Sequence, residues 1–273
     1  MLVKFQEILA EGEKKGFAIP AFNVYNLETA IGVAEAAKET GAPVIFQLYS
    51  RLFENQYARN LAPALIQITR DLPSQAAIHL DHGSDLDKVM QALNCGATGV
   101  MIDASTLPLA ENIAKTKAAV EMCLHNGAGV EGELGHIGNT AEEMSEYTRA
   151  DEAERYVKET GVCALAVMVG TAHGHYKQAP VIDIARIKEI REAVKIPLVL
   201  HGGSGIPDEQ IRASINAGIR KINFATDVCC TFLDALFEVD RGIIGIDLFM
   251  KGPIEAVKRF AVEKIKLLGA ASG

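Results

Sequence analysis

Three histidines follow short apolar runs, at the point where a side chain can reach a ligand bound at the end of a buried strand. His82 closes the run 76–82, His173 comes soon after the run 165–169, and His201 directly follows 197–200. Three imidazoles suit one divalent ion and leave a coordination position open for substrate. We therefore predict a metal site at His82, His173 and His201. Nitrogen ligands favour zinc, while cobalt, manganese or iron would fit a similar geometry.

The remaining histidines fit this site less well. His79 lies inside an apolar run, which is typical of a core histidine. His175 follows His173 by two residues and is a weaker candidate ligand. We make no functional assignment for His125 or His136.

Carboxylates accompany the histidines. Asp81 adjoins His82 and either exchanges a proton with a substrate hydroxyl or orients a metal-binding imidazole. Asp103 ends another apolar run, and Glu133 lies on the run 129–134. These two either hold a second cation or hydrogen-bond to the histidines and cap turns. The sequence leaves both alternatives open.

The turn after residue 200 has the composition of an anion site. His201 is followed by three glycines and a serine within residues 202–205, and a helix start follows at Pro207. Backbone amides in such a turn suit a phosphate, although a glycine-rich turn beside a solvated histidine is the simpler alternative. The predicted anion contacts at this and neighbouring strand ends are Gly174, Gly202, Ser204, Asn223 and Thr226.

Short apolar runs alternate with helical patterns along the whole chain, after an opening helix at 3–15 that we expect to be polar. The predicted strands are 17–24, 43–49, 76–82, 99–103, 129–134, 165–169, 197–200 and 221–226. Strands and helices in this alternation predict an α/β protein, a (β/α)8 TIM barrel forming a single domain over residues 1–273. A doubly wound sheet is the alternative, but the first run lacks a following GxGxxG. In a barrel, all the polar strand ends meet on one face.

Composition limits the partners. The 273 residues carry 27 basic and 35 acidic side chains, for a net charge of −8, which disfavours nucleic acid or an anionic membrane as a partner. The five cysteines are scattered, without metal-type spacing, and we expect them to be reduced core residues. With neither a signal-peptide pattern nor an apolar run of spanning length, we expect a cytoplasmic protein.

Five motifs together resemble the metal-dependent class II ketose-bisphosphate aldolases, which include the fructose-bisphosphate and tagatose-bisphosphate enzymes. The resemblance extends over nearly the whole chain, in the expected order and spacing. The motifs are Asp81-His-Gly83, Glu131-Gly-Glu-Leu-Gly135, Gly170-Thr-Ala-His-Gly174, His201-Gly-Gly-Ser-Gly205 and Lys221-Ile-Asn-Phe-Ala-Thr226.

The resemblance implies a zinc enzyme of carbohydrate metabolism, such as glycolysis, that reversibly joins dihydroxyacetone phosphate to an aldehyde. It implies that the three histidines bind the catalytic zinc, that Asp81 transfers a proton, and that Asp103 and Glu133 hold a second metal in some members. A monovalent cation, Na⁺ or K⁺, near the phosphate and a homodimer or homotetramer are further expectations. The substrate and phosphate contacts would be Asn23, Gly174, Gly202, Gly203, Ser204, Asn223, Ala225 and Thr226.

The resemblance also implies how the carbon–carbon bond breaks. Zinc would polarise the ketose carbonyl, Asp81 would take the C4 hydroxyl proton, and Glu142 or Glu143 would handle the carbon-bound proton. The segment 135–143 departs from the family pattern, which leaves the choice between these two glutamates open. The acceptor is also open, between glyceraldehyde 3-phosphate, an unphosphorylated sugar aldehyde and a uronate semialdehyde. Arg51 and Arg59 are candidates to bind its anionic group.

Two other functions fit a barrel with these strand ends. A metal-dependent sugar-phosphate epimerase or hydrolase would use the same face, although a hydrolase would be expected to show an HxH pair on the first strand, where Asn23 stands between Phe22 and Val24. A sugar-phosphate-binding barrel without turnover would not need the proton-transfer group Asp81 beside His82.

Overall fold

Eight parallel strands close into a barrel. The structure is a computed structural model that describes residues 1–135, 147–172, 174 and 180–271. Within these residues each strand pairs with the next, and β8 pairs with β1. The strands are β1 (Ile19–Asn23), β2 (Val44–Tyr49), β3 (Ala76–Gly83), β4 (Gly99–Ile102), β5 (Gly129–Leu134), β6 (Ala164–Val167), β7 (Leu198–Leu200) and β8 (Ile219–Phe224).

Helices alternate with these strands and cover the outside of the barrel. Their starts follow side-chain capping in several places: Asn26, Asp85 and Asp183 each accept a hydrogen bond from the backbone amide three residues later. The helices are α1 (Phe5–Lys15), α2 (Leu27–Thr40), α3 (Tyr57–Asp71), α4 (Leu86–Asn94), α5 (Leu109–Leu124), α6 (Ala150–Thr160), α7 (Ile184–Ala193), α8 (Asp208–Ala217), α9 (Thr226–Phe237), α10 (Ile246–Phe249) and α11 (Lys251–Leu267).

The (β/α)8 fold class predicted from the alternation is confirmed, with four differences in detail. A 3-10 helix at Ser50–Phe53 and the short α10 were not predicted. The predicted last strand, 221–226, is shifted, because β8 begins at Ile219 and Thr226 is already the first residue of α9. The predicted extended segment 135–148 is not counted among these differences, because it falls largely outside the described residues.

The fourth difference concerns α1, which is amphipathic rather than polar. Its residues Phe5, Ile8 and Leu9 are buried. The ring of Phe5 lies 4.5 Å from that of His79, inside the barrel. Burial, followed by the charge of Lys221, lowers the pKa of His79 to about 3, so this imidazole is neutral at physiological pH. The prediction that His79 is a core residue is confirmed.

The barrel interior is polar at several levels. Alternation along β5 turns Glu131 and Glu133 inward, while Gly132 faces Tyr156 of α6. The same alternation on β8 brings Lys221 and Asn223 to the interior. Because barrel interiors are ordinarily filled by branched aliphatic side chains, this buried polar set needs a chemical explanation. Among the described residues, no helix is both long enough and apolar enough to cross a membrane.

Candidate active site

A cavity of about 590 Å³ opens at the carboxyl ends of the strands. This is the face on which barrel enzymes build their sites. Several predicted site residues meet there, together with residues that the sequence did not single out. The cavity is lined by Asn23, Tyr25, Tyr49, Arg51, Asp81, His82, Ser84, Asp103, Ala104, Thr106, Leu107, Lys115, Gly174, Gly202, Ser204, Asn223, Ala225 and Thr226.

The end of β3 directs two consecutive side chains into this cavity. Consecutive residues of a strand ordinarily point to opposite faces. His82 has a φ of 51°, and it is the only non-glycine with a positive φ among the described residues. The pairing of β3 with β4 shifts register between Leu80 and Gly83. This irregularity lets both Asp81 and His82 line the cavity, at a backbone cost of about 1–3 kcal/mol.

The two described histidines of the predicted metal site lie side by side. The ring centroids of His82 and His201 are 4.8 Å apart. His82 Nδ1 is 2.8 Å from Asp103 Oδ2. His201 Nε2 is 2.9 Å from Glu131 Oε1, and its Nδ1 is 3.2 Å from Glu133 Oε2. Carboxylates that bind one imidazole nitrogen in this way fix the ring and its tautomer.

The electrostatics favour positive charge between these residues. Burial opposes the charged form of His82, but the carboxylates of Asp81 and Asp103 raise its pKa to about 10. Burial likewise opposes the charged form of His201, and its bonds to Glu131 and Glu133 nevertheless raise its pKa. Carboxylates that stabilise imidazolium would also stabilise a metal ion, which competes with protons for the same nitrogens.

Asp81 is held by three amide donors. Its Oδ2 accepts from Asn23 Nδ2 at 2.7 Å, and its Oδ1 accepts from Gln47 Nε2 at 3.0 Å and Asn223 Nδ2 at 3.2 Å. Each carboxylate oxygen has two lone pairs, so one position on Oδ2 remains for a substrate hydroxyl. Burial would raise the pKa of Asp81, but the charges of His82, His201 and Lys221 keep it below its usual range. The carboxylate is therefore ionised and able to accept a proton.

Two overlapping groups of side chains suit a divalent metal. One contains Asp81, His82 and His201, and the other contains His82, Asp103 and Glu133, with one ligand atom per residue and all such atoms within 4.8 Å of one another. The mixed nitrogen and oxygen donors fit zinc. In the first group the three amides already occupy much of Asp81, which favours proton transfer over coordination by this carboxylate. The second group matches the residues expected at a second metal.

Three predicted site residues lie outside the described part of the chain. They are His173, the third expected zinc ligand, and Glu142 and Glu143, the expected carriers of the carbon-bound proton. His175 and His136 also lie outside it.

Five of the expected anion contacts line the cavity, and two of these lie at the start of α9. Gly174, Gly202, Ser204, Ala225 and Thr226 line the cavity, and Ala225 and Thr226 form the amino end of this helix. Helix amino termini attract anions through their amides and dipole. Within this region Ser204 Oγ accepts from the amide of Asp227, which ties the strand-seven turn to the helix.

Gly203 differs from the other expected anion contacts. Its amide donates to the carbonyl oxygen of Asn223 at 3.1 Å, so it is engaged within the fold and is not available to an anion. A Cβ at this position would lie 2.7 Å from the same carbonyl oxygen. The glycine is therefore required by the close approach of the turn to β8.

Another part of the cavity carries cations and aromatic rings that the motifs did not reveal. Arg51 lies 5.5 Å from the ring of Tyr49, and both line the cavity with Tyr25. Lys115 of α5 also lines it and donates to the carbonyl of Ser84 at 2.6 Å. Of the two arginines suggested for an anionic acceptor, Arg51 reaches the cavity. Arg59, on the described part of α3, is not among its lining residues.

The order of these strand ends and their chemistry match one known family. Residues 3–272 match the family described as fructose-bisphosphate aldolase class-II. The chain belongs to this family. Class II aldolases are carbon–carbon lyases that act on small phosphorylated sugars, and the aldolase activity expected from the sequence is supported by this membership.

Solved structures agree with the assignment. The YdjI aldolase from Escherichia coli K12 is 34% identical with a TM-score of 0.91, and the alignment covers 100% of this chain and 99% of that one. A putative fructose-1,6-bisphosphate aldolase from Coccidioides immitis is 25% identical, with a TM-score of 0.91 and coverage of 98% and 97%. Fructose-bisphosphate aldolase from Campylobacter jejuni, at 20% identity, a TM-score of 0.84 and coverage of 99% and 96%, shares the fold.

Proposed function

We propose that this class II aldolase uses zinc to cleave a ketose 1-phosphate or 1,6-bisphosphate reversibly into dihydroxyacetone phosphate and an aldehyde. The observation that carries the proposal is the meeting of His82 and His201 with the amide-bound carboxylate of Asp81 at one cavity. When bound by His82, His201 and the expected His173, zinc would polarise the ketose carbonyl.

Asp81 would perform the proton transfer that bond cleavage requires. In the cleavage direction it takes the C4 hydroxyl proton, the C3–C4 bond breaks, and the C4 carbonyl of the aldehyde forms. The electron pair of that bond remains on the dihydroxyacetone phosphate half, which then gains a proton at C3 from Glu142 or Glu143. The three amides on Asp81 hold the carboxylate in place for the hydroxyl, a positional requirement of general base catalysis.

The phosphate of the dihydroxyacetone half would lie at the amino end of α9. Gly174, Gly202 and Ser204 line the same cavity as Ala225 and Thr226, the residues at that end of the helix. A metal on one side and an anion site on the other would hold the reacting carbons at a fixed position between them. A second divalent ion at Asp103 and Glu133, a monovalent cation near the phosphate, and a cytoplasmic homodimer or homotetramer remain part of the proposal.

The acceptor end favours an anionic aldehyde. Arg51 and Lys115 both line the cavity, and a guanidinium suits phosphate and carboxylate through paired hydrogen bonds. Glyceraldehyde 3-phosphate and a uronate semialdehyde meet this requirement better than a neutral sugar aldehyde.

The decisive experiment measures metal content and then the release of dihydroxyacetone phosphate from a panel of substrates. The panel contains ketose 1-phosphates, ketose bisphosphates, and ketose 1-phosphates that carry a carboxylate at the other end. Metal-loaded protein that releases none from any of them would refute the aldolase proposal and favour an epimerase, a hydrolase or a binding barrel. For the acceptor end, Arg51→Met should raise KM for anionic substrates about tenfold to a hundredfold, since a hydrogen bond to a charged group contributes about 1.5–3 kcal/mol. Arg59→Met is the matched control and should leave KM unchanged.

A further inference from the structure

Lys221 is a buried cation that the proposed reaction does not use. Its side chain on β8 is fully inaccessible to solvent, and it is absent from the described residues that line the cavity. Its amine therefore does not face the cavity, where a Schiff-base lysine would have to meet the substrate carbonyl. Burying an ammonium group is costly unless it is paired and hydrogen-bonded. Its partners therefore indicate its purpose.

Among the described residues the ammonium group has two polar partners, and each of them contacts a different residue of the site. Lys221 Nζ lies 2.9 Å from Glu131 Oε2 and 2.7 Å from Asn223 Oδ1. The ring centroid of Phe5 is 6.0 Å away. Lysine has three donors and no acceptor, so both contacts require an acceptor atom to face it.

The contact of Lys221 with Glu131 connects it to His201, a predicted metal ligand. Because Glu131 Oε2 faces Lys221, its Oε1 remains for His201 Nε2, at 2.9 Å. The carboxylate only accepts, so Nε2 must carry the hydrogen and the lone pair of a neutral ring resides on Nδ1. Nδ1 is the nitrogen that faces Glu133, at 3.2 Å, and His201 itself belongs to the first metal-binding group, with Asp81 and His82. Glu131 therefore fixes this tautomer, and Lys221 holds Glu131 in place against Nε2.

The contact of Lys221 with Asn223 connects it to Asp81, the proposed proton-transfer residue. An asparagine amide can turn over and exchange its donor and acceptor ends. With its Oδ1 bound to Lys221, Asn223 must direct Nδ2 toward Asp81 Oδ1, at 3.2 Å. The reverse orientation would place an amide oxygen against the carboxylate and an NH₂ group against the ammonium. Lys221 therefore selects the orientation in which Asn223 supports Asp81.

We propose that Lys221 is a positioning residue: it holds Glu131 in the orientation that fixes the tautomer of His201, and it selects the amide orientation of Asn223. It would thus link the metal ligand and the proton-transfer carboxylate, which the chain supplies from different strands. The inference rests on the proposed zinc-dependent function, since it assigns a metal-binding role to His201. It differs from a space-filling role, in which only the volume of the side chain would matter.

The experiment compares zinc affinity in the purified full-length protein and in three variants: Lys221→Met, Glu131→Gln and the double variant. Lys221→Met keeps an unbranched chain and removes all donors. It should weaken zinc binding about tenfold to a hundredfold, as loss of an outer hydrogen-bonding partner typically does. At saturating zinc its kcat should also fall while KM changes little, because the support of Asp81 by Asn223 is weakened.

The double variant distinguishes a positioning role of Lys221 from a role in which its side chain only fills space. In Glu131→Gln, the ammonium of Lys221 attracts the new amide oxygen, so the amide NH₂ faces His201 Nε2 and forces the other tautomer. Zinc binding should then fall more than a hundredfold. In the double variant the amide is released from Lys221, can accept from Nε2 again, and should bind zinc at least tenfold more tightly than Glu131→Gln alone.

Each outcome has a defined meaning. If both single variants fold and the double variant binds zinc no better than Glu131→Gln, the positioning role is wrong even though wild-type protein binds zinc. If wild-type protein binds no zinc, the proposed function fails first, and this inference with it. Should Lys221→Met not fold, nitrogen-15 shifts of His201 in wild type and Glu131→Gln still test the tautomer, and an unchanged tautomer overturns the proposal.

Discussion

Replacing Asp81 by asparagine removes the carboxylate that would accept the substrate proton. The new side chain has the same shape, and its amide oxygen can still accept from Gln47 and Asn223. Its NH₂ group would oppose the donor of Asn23, whose Nδ2 now lies 2.7 Å from Asp81 Oδ2. One unsatisfied donor contact costs about 1–3 kcal/mol, so the variant should fold with moderately reduced stability.

The expected catalytic loss is larger. A positioned general base contributes about 10²–10⁴-fold, and Asp81→Asn should lower kcat for cleavage by that factor. This corresponds to about 2.7–5.4 kcal/mol of transition-state stabilisation at about 1.36 kcal/mol per tenfold. Zinc content should stay at the wild-type value, because the amides on Asp81 favour proton transfer over coordination.

The assay has two parts in addition to metal content. Cleavage is followed by reduction of the released dihydroxyacetone phosphate with a dehydrogenase and NADH. Exchange of the carbon-bound proton of dihydroxyacetone phosphate with deuterated water is followed by NMR, and it should continue in the variant because another group handles that proton. Gln47→Leu keeps the carboxylate and should lose about tenfold or less. Retained cleavage, or loss of exchange and zinc together with cleavage, would refute the assigned role.

Two further predictions concern stability and thiol chemistry. Gly132→Ala should destabilise the barrel by about 1–3 kcal/mol in urea unfolding, because the added Cβ would lie 2.7 Å from Cε1 of the buried Tyr156 ring. The exposed Gly242→Ala should change the urea midpoint little, and equal midpoints for the two variants would contradict the packing argument. Burial raises the pKa of Cys123 to about 11 and that of Cys163 to about 12, against an ordinary value of 9.0. At pH 8 their thiolate fractions are therefore smaller than that of an ordinary cysteine by factors of about 10² and 10³, respectively. Alkylation mapped by mass spectrometry should accelerate by at least these factors on unfolding; equal native and unfolded rates would show the thiols to be unperturbed.

Local sequence features determined the barrel fold and identified most of the residues that form its site. Short apolar runs and capped helices alternate in a pattern that only a few topologies accept, and the polar strand ends of a parallel barrel must share one face. His82, Asp81 and His201 could therefore be assigned to one site before any coordinates. The five cysteines are free as predicted, but Cys123 alone is fully buried, and the other four are half-buried.

The tertiary structure decided how these residues are held. The left-handed backbone at His82 follows from the irregular pairing of β3 with β4, which no local pattern encodes. Gln47 lies 34 residues before Asp81, and Asn223 lies 142 residues after it. Such contacts depend on the stagger of the strands around the closed barrel.

The same reason explains the position of Lys221. Only barrel closure places its ammonium between Glu131 and Asn223 and away from the cavity. It also explains why the amide of Gly203 turns to β8. Residue type and spacing identified the chemistry, while the long-range pairing of strands determined which hydrogen bonds control it.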